Sequence, residues 1–191
     1  MARRVVIAED EALIRLDLKE TLEEEGYQVI AETSRGDEVV ALVREHRPDL
    51  AILDIKMPGG DGLSAAAEIS AERLAAVLIL TAFSQRELVD RAREAGALAY
   101  LVKPFQRNDL IPAIELAIGR FEEMKALEDE NKDLEERLET RKLVERAKGL
   151  LMDELDMRED QAFRWIQRRA MDERKTMKAI AQGVLDGELR P

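Results

Sequence analysis

Residues 50–54, Leu50-Ala51-Ile52-Leu53-Asp54, are four apolar side chains in a row closed by an acid. A strand with one face in water alternates, so an unbroken apolar run of this length suits an inner strand covered by helices on both sides. Val5-Val6-Ile7 and Val77-Leu78-Ile79-Leu80 read the same way. From residue 4 to about 118 such runs alternate with amphipathic stretches, the pattern of repeated βα units around a parallel sheet. Five strands are predicted, Arg4–Ala8, Gln28–Glu32, Leu50–Leu53, Ala76–Leu80 and Ala99–Val102, with helices over 12–24, 36–46, 62–72, 84–95 and from 107 onward. Gly26 and Gly96 fall where helices end in a left-handed residue. The fold class that follows is α/β, a doubly wound five-stranded parallel sheet.

The fifth helix carries no stop signal. From Arg107 to about Leu151 no proline follows Pro112, so one helix of about 44 residues would run for roughly 65 Å at 1.5 Å per residue. Within it Met124, Leu127, Asn131, Leu134 and Leu138 have the 3-4-3-4 spacing of a coiled-coil seam with a polar residue at one core position, which points to a homodimer through this linker and the C-terminal helices. Beyond residue 140 helical spacing recurs over Arg141–Leu151, about Glu159–Arg174 and about Met177–Leu185, a small three-helix all-α module. The expected division is 1–120, a helical linker over 121–140, and 141–191.

Composition narrows the chemistry. Of 191 residues, 46% are apolar and 37% charged, and no apolar run approaches the ~18 residues that cross a bilayer, so a cytoplasmic protein without a membrane partner is expected. Zero Cys and one His remove disulfide scaffolds, thiolate zinc sites and His-dependent triads. Net charge is −11, but unevenly spread. Residues 1–120 carry 15 basic and 22 acidic side chains, 121–140 carry 3 and 9, and 141–191 carry 12 and 10, so only the tail approaches a surface that tolerates nucleic acid.

In an open parallel sheet ligands bind beyond the carboxyl ends of the strands, where the winding reverses. Here those ends read Glu9-Asp10, Asp54, Thr81-Ala82 and Lys103-Pro104. Three converging carboxylates repel one another unless a cation joins them, and hard oxygen ligands of this kind suit Mg²⁺. A carboxylate in such a pocket can act as nucleophile toward a phosphoryl group, with Lys103 compensating charge and Thr81 donating a hydroxyl.

With these landmarks, residues 3–120 resemble the receiver domain of two-component response regulators. The resemblance rests on Glu9-Asp10, on Asp54 in Asp54-Ile55-Lys56-Met57-Pro58-Gly59-Gly60-Asp61-Gly62, on Thr81-Ala82, on Tyr100 and on Lys103-Pro104-Phe105, in that order. It implies a flavodoxin-like strand order of 2-1-3-4-5 and Asp54 as phosphoacceptor. Mg²⁺ would be held by Glu9, Asp10, Asp54 and the backbone carbonyl of Lys56. It also implies a Thr81–Tyr100 switch pair and a cis Lys103–Pro104 bond. The only His, His46, lies on a polar helix face, so the phosphate comes from another protein, a sensor histidine kinase.

The tail resembles the ANTAR domain, an RNA-binding module of antitermination regulators, over Arg141-Lys142-Leu143-Val144-Glu145-Arg146-Ala147-Lys148-Gly149-Leu150-Leu151-Met152, Gln161-Ala162-Phe163, Ala170-Met171, Ala181 and Val184. The whole looks most like the actinobacterial phosphorylation-dependent antitermination regulators. Arg141, Lys142, Arg146 and Lys148 form one basic stretch, and Arg164, Arg168, Arg169, Arg174, Lys175 and Lys178 another. With one exposed aromatic such as Trp165, they suit RNA hairpin loops, which are read by stacking and base-edge contacts. Arg158 stands where the family has a capping Ser or Thr, which leaves Asp156 as a candidate cap. Two other outputs fit less well, a protein-interaction adaptor and a DNA-binding regulator; the second lacks a basic recognition helix. The only catalysis expected is self-phosphorylation and its hydrolysis.

Overall fold

The computed structural model describes residues 2–190. The chain runs β1 (Arg4–Ala8), α1 (Ala12–Glu24), β2 (Gln28–Thr33), α2 (Gly36–His46), β3 (Leu50–Leu53), a short hairpin of β4 (Lys56–Met57) and β5 (Gly60–Asp61), then α3 (Gly62–Ala71), β6 (Ala76–Thr81), α4 (Arg86–Glu94) and β7 (Ala99–Val102). It ends in α5 (Arg107–Leu155), α6 (Glu159–Glu173) and α7 (Met177–Leu185). Two compact units divide the chain, Met1–Ala126 and Leu127–Pro191.

In the first unit the sheet has the order β2-β1-β3-β6-β7 with every pair parallel. Setting the hairpin aside, this is the expected 2-1-3-4-5 order, and the winding reverses between β1 and β3. Alternate side chains along each strand go to opposite faces. Val6, Ala8, Ala51, Leu53, Val77 and Ile79 pack under α2 and α3, while Val5, Ile7, Leu50, Ile52, Leu78 and Leu80 pack under α1 and the first turns of α5. Every residue of β3 and β6 is buried, the physical reason their sequences do not alternate. Each fully buried Ile or Leu contributes roughly 1.5–3 kcal/mol by this burial.

The strands β2 and β6 each extend one residue beyond the expected end, to Thr33 and Thr81, and α4 begins two residues later than expected, after Gln85. Gly26 and Gly96 take the anticipated positive φ.

The helix α5 spans 49 residues without a break at Pro112, Gly119 or Gly149. Arg141–Leu151 is therefore not a separate helix but its last part, and the helix ends at Leu155, where Asp156 adopts a left-handed φ of 51°. Asp156 thus terminates α5 and does not cap α6. The residue before α6 is Arg158, whose backbone N–H donates to Gln161 Oε1 (3.0 Å), half of a capping box that an arginine has no acceptor to complete. In the second unit Val144, Ala147 and Leu151 of α5 form a core with Ala162, Ile166 and Ala170 of α6 and Ile180, Ala181 and Val184 of α7. Among the described residues no helix is long and apolar enough to cross a membrane.

Candidate functional site

Three strand ends bring the polar landmarks together. Asp54 follows β3 directly and its backbone N–H donates to the Ala8 carbonyl (2.9 Å), which sets it beside the end of β1. Lys103 follows β7, its N–H donating to the Thr81 carbonyl (2.8 Å). From there its ammonium reaches Asp54 Oδ2 at 2.7 Å and Glu9 Oε2 at 2.6 Å, and all three side chains are more than nine-tenths buried. Asp54 Oδ1 accepts from the Ile55 N–H (2.6 Å). The Lys103–Pro104 bond is cis.

Burial is the largest influence on Glu9 and holds its carboxyl above the usual carboxylate range, although Lys103 works the other way. Burial would lower the Lys103 ammonium, but its hydrogen bond to Asp54 and its close ion pair with Glu9 outweigh it, and the group stays protonated above its ordinary value. One lysine faces Glu9, Asp54 and the exposed Asp10, whose nearest carboxylate oxygens all lie within 4.8 Å of one another. Negative charge therefore remains in excess. Two buried polar atoms here lack a hydrogen bond, Glu9 Oε2, whose close ion pair with Lys103 is not directed as a hydrogen bond, and Thr81 Oγ1. Buried polar atoms are nearly always paired. An oxygen acceptor in an acidic cluster and an idle hydroxyl beside it fit a hard cation and a phosphoryl oxygen respectively.

Replacement of Glu9 by Gln should weaken Mg²⁺ binding at least about tenfold and raise the melting temperature in chelator. A carboxyl whose folded pKa is raised costs stability once pH climbs past its unfolded value, and the amide removes that cost. Calorimetry with Mg²⁺ and thermal melting at neutral pH measure both; a lower melting point would contradict the burial argument.

In the second unit, Arg141, Lys142, Arg146, Arg164 and Arg168 are exposed. Arg169 and Lys175 both pair with Glu173 (2.5 and 2.8 Å), and Lys178 pairs with Glu139 (2.8 Å). Two expectations need correction. Lys148 is buried, its ammonium 2.8 Å from Glu159 and 2.9 Å from Glu145, so it holds α5 to the start of α6 and is withdrawn from any phosphate. Trp165 is half-buried against the helical core, whereas Phe163 is 40% exposed. Arg141, Lys178 and Phe163 line one cavity.

Residues 5–115 match the family model of the response regulator receiver domain, and residues 132–185 that of the ANTAR domain. Over 184 residues the chain is 62% identical to the transcriptional regulatory protein PdtaR of Mycobacterium tuberculosis, covering 96% of this chain and 90% of that one. This chain belongs to the response regulators with an ANTAR domain. The receiver alone is 38% identical to the chemotaxis protein CheY of Bacillus subtilis, over 62% of this chain and all of that one. It also superposes on the signal receiver domain of the putative response regulator NarL from Mycobacterium tuberculosis with a TM-score of 0.59 at 29% identity, over 62% of this chain and 97% of that structure.

Around the acidic cluster, the regulator's receiver shows two features that sequence reading did not assign. The Tyr100 hydroxyl donates to the Phe83 carbonyl (2.6 Å), and the Lys56 ammonium lies 4.2 Å from the centre of the Phe83 ring, so the loop after β6 is gripped from two sides. At Gly62 an added Cβ would stand 1.8 Å from the Asp54 carbonyl oxygen. The start of α3 thus lies directly against the backbone of the candidate phosphoacceptor, an approach open only to glycine.

Proposed function

We propose that this response regulator accepts a phosphoryl group on Asp54 from a sensor histidine kinase, and that phosphorylation switches its ANTAR domain to bind RNA hairpins in nascent transcripts and promote transcription antitermination. The observation that carries the reading is the buried Glu9–Lys103–Asp54 triad, with the buried, unpartnered hydroxyl of Thr81 at the end of β6, whose backbone carbonyl accepts from the Lys103 N–H. A carboxylate oxygen of Asp54 bonds to phosphorus as the bond from phosphorus to the donor imidazole nitrogen breaks, and the freed imidazole takes up a proton. Lys103 offsets charge on the phosphoryl oxygens and Thr81 donates to one of them. Glu9, Asp10, Asp54 and the backbone carbonyl of Lys56 would hold Mg²⁺, which supplies further charge neutralisation when bound. Catalysis is confined to this self-phosphorylation and the hydrolysis that reverses it.

The new phosphoryl group adds a charge of roughly −1.5 to −2 beside Thr81 and, through it, Tyr100. Both flank the face made by α4, β7 and the first turns of α5, a local charge change biasing a two-state element. Residues 1–120 act as receiver, 121–140 as connecting helix and 141–191 as RNA-binding module of a cytoplasmic regulator. RNA contacts come from Arg141, Lys142, Arg146, Arg164, Arg168, Arg169, Lys175 and Lys178. A homodimer forms through Met124, Leu127, Asn131, Leu134 and Leu138; the three leucines are about half exposed, at 54%, 49% and 57%.

The test is filter binding of the full chain to terminator-proximal hairpin RNA and to duplex DNA at one fixed salt, with and without Mg²⁺ and beryllofluoride. RNA-selective binding that strengthens with the mimic is expected, each tenfold being about 1.4 kcal/mol of coupling. Equal binding to DNA, or no RNA binding in either state, would move the output to another class.

A further inference from the structure

The ANTAR unit holds a cavity of 560 Å³ walled by α5, α6 and the start of α7. Its apolar wall is Val144, Phe163 and Met177, and Arg137, Arg141 and Lys178 stand around it. Asp133, Glu136 and Glu145 line it too, so the cavity is lined by both signs of charge.

This combination selects against two simple occupants. An apolar peptide helix would take six charged side chains out of water, among them Arg137, paired with Asp133 at 2.9 Å, and Lys178, paired with Glu139 at 2.8 Å, and would offer them no polar group in return. A duplex backbone would meet three carboxylates that repel its phosphates. A planar heterocycle with its own N–H donors and ring acceptors satisfies the lining: its face lies on Phe163, its edge meets carboxylate and guanidinium, and a flanking phosphate meets the cations. The volume is in the range of small-molecule sites, which suits one nucleoside and not a helical stretch of RNA. Phe163 and Trp165 are the only aromatic residues after Phe121, and Trp165 is packed against the core, so Phe163 is the ring available for stacking. The Lys178–Glu139 pair is at the surface and cheap to exchange for a phosphate. Lys142 and Arg146 continue the exposed basic surface along α5.

We propose that this cavity receives one unstacked base of the hairpin loop, stacked on Phe163, with its phosphate held by Arg141 and Lys178. The inference rests on the RNA-binding reading above and adds the residue that reads the loop. The test uses the full chain in filter binding with hairpin RNA carrying an abasic substitution at each loop position in turn, against wild type, Phe163→Ala and Phe163→Tyr, with thermal melting to verify the fold. Phe163→Ala should bind about 5- to 150-fold more weakly, the usual range for losing one stacked base, while Phe163→Tyr stays within about threefold. One abasic position should cost wild type a similar factor and cost Phe163→Ala nothing further, because base and ring act as a pair.

If Phe163→Ala binds as wild type, or if every abasic penalty persists in that variant, the base pocket is overturned. If light scattering shows that Phe163→Ala alters association while hairpin affinity per protomer holds, the cavity belongs to a second copy of the chain and the inference is likewise overturned. Failure of the wild type to bind any hairpin would overturn the functional reading itself and this inference with it.

Discussion

A chain carrying Asp54→Ala should bind hairpin RNA with the affinity of the unphosphorylated wild type and gain nothing from a small-molecule phosphoryl donor or from beryllofluoride. Among the described residues, Asp54 is the carboxylate at the end of β3, held by Lys103 at 2.7 Å and by the Ile55 N–H at 2.6 Å. Alanine keeps the backbone bond from residue 54 to Ala8 and leaves the Lys103–Glu9 ion pair at 2.6 Å in place. The fold should therefore survive while the proposed nucleophile is gone. In wild type the phosphoryl group should change RNA affinity by the usual range of allosteric couplings, about 1–3 kcal/mol or roughly 5- to 150-fold. In the variant that factor should be one. Paired titrations with and without donor, alongside intact-mass measurement of phosphoryl incorporation, read both halves of the statement. A variant that still responded to the donor would sink the assignment of Asp54 as the gate.

The second large effect is on stability. Gly62→Ala would drive a Cβ to 1.8 Å from the Asp54 carbonyl oxygen, a backbone atom that cannot swing aside. Either the start of α3 or the end of β3 has to move, and the Gly62 N–H bond to the Ile55 carbonyl (2.9 Å) is strained with it. The expected loss is about 3 kcal/mol or more, at or beyond the upper end of ordinary overpacking. Gly119→Ala is the matched control: it lies inside α5 with nothing within 4 Å of an added Cβ. There alanine should raise stability by about 0.5–1 kcal/mol through helix propensity. Urea unfolding of both variants gives opposite signs if the geometry is right, and a Gly62→Ala protein as stable as wild type would contradict it.

The strands were legible because burial on both faces leaves a plain mark, uniformly apolar runs such as Ala76–Leu80. The hairpin β4–β5 left none, since two residues per strand are too few for a period. The acidic cluster was legible from strand ends, but the unpartnered Thr81 hydroxyl and the approach of Gly62 to Asp54 exist only once the chain is folded. For Lys148 the sequence shows Glu145 three residues earlier, yet Glu159 is brought to it by the packing of α6 on α5. The aromatic pair was readable and misread. Ala162, Ile166 and Ala170 mark the buried stripe of α6, and Trp165, three residues after Ala162, falls on it at 3.6 residues per turn. Phe163 falls to its side and stays exposed.

The helix α5 gives its first turns to the receiver core through Leu110, Ile114, Ala117 and Ile118, and its last turns to the ANTAR core through Val144, Ala147 and Leu151. The receiver unit also keeps Phe121 against its core and Glu122 in an ion pair with Arg3 at 2.6 Å. For ancestry and for engineering alike this means that the two modules share no loop at which they can be parted. A recombination joint at residue 120 would strip the receiver of two of its own side chains, so any viable exchange of outputs has to be spliced in mid-helix, beyond Ala126.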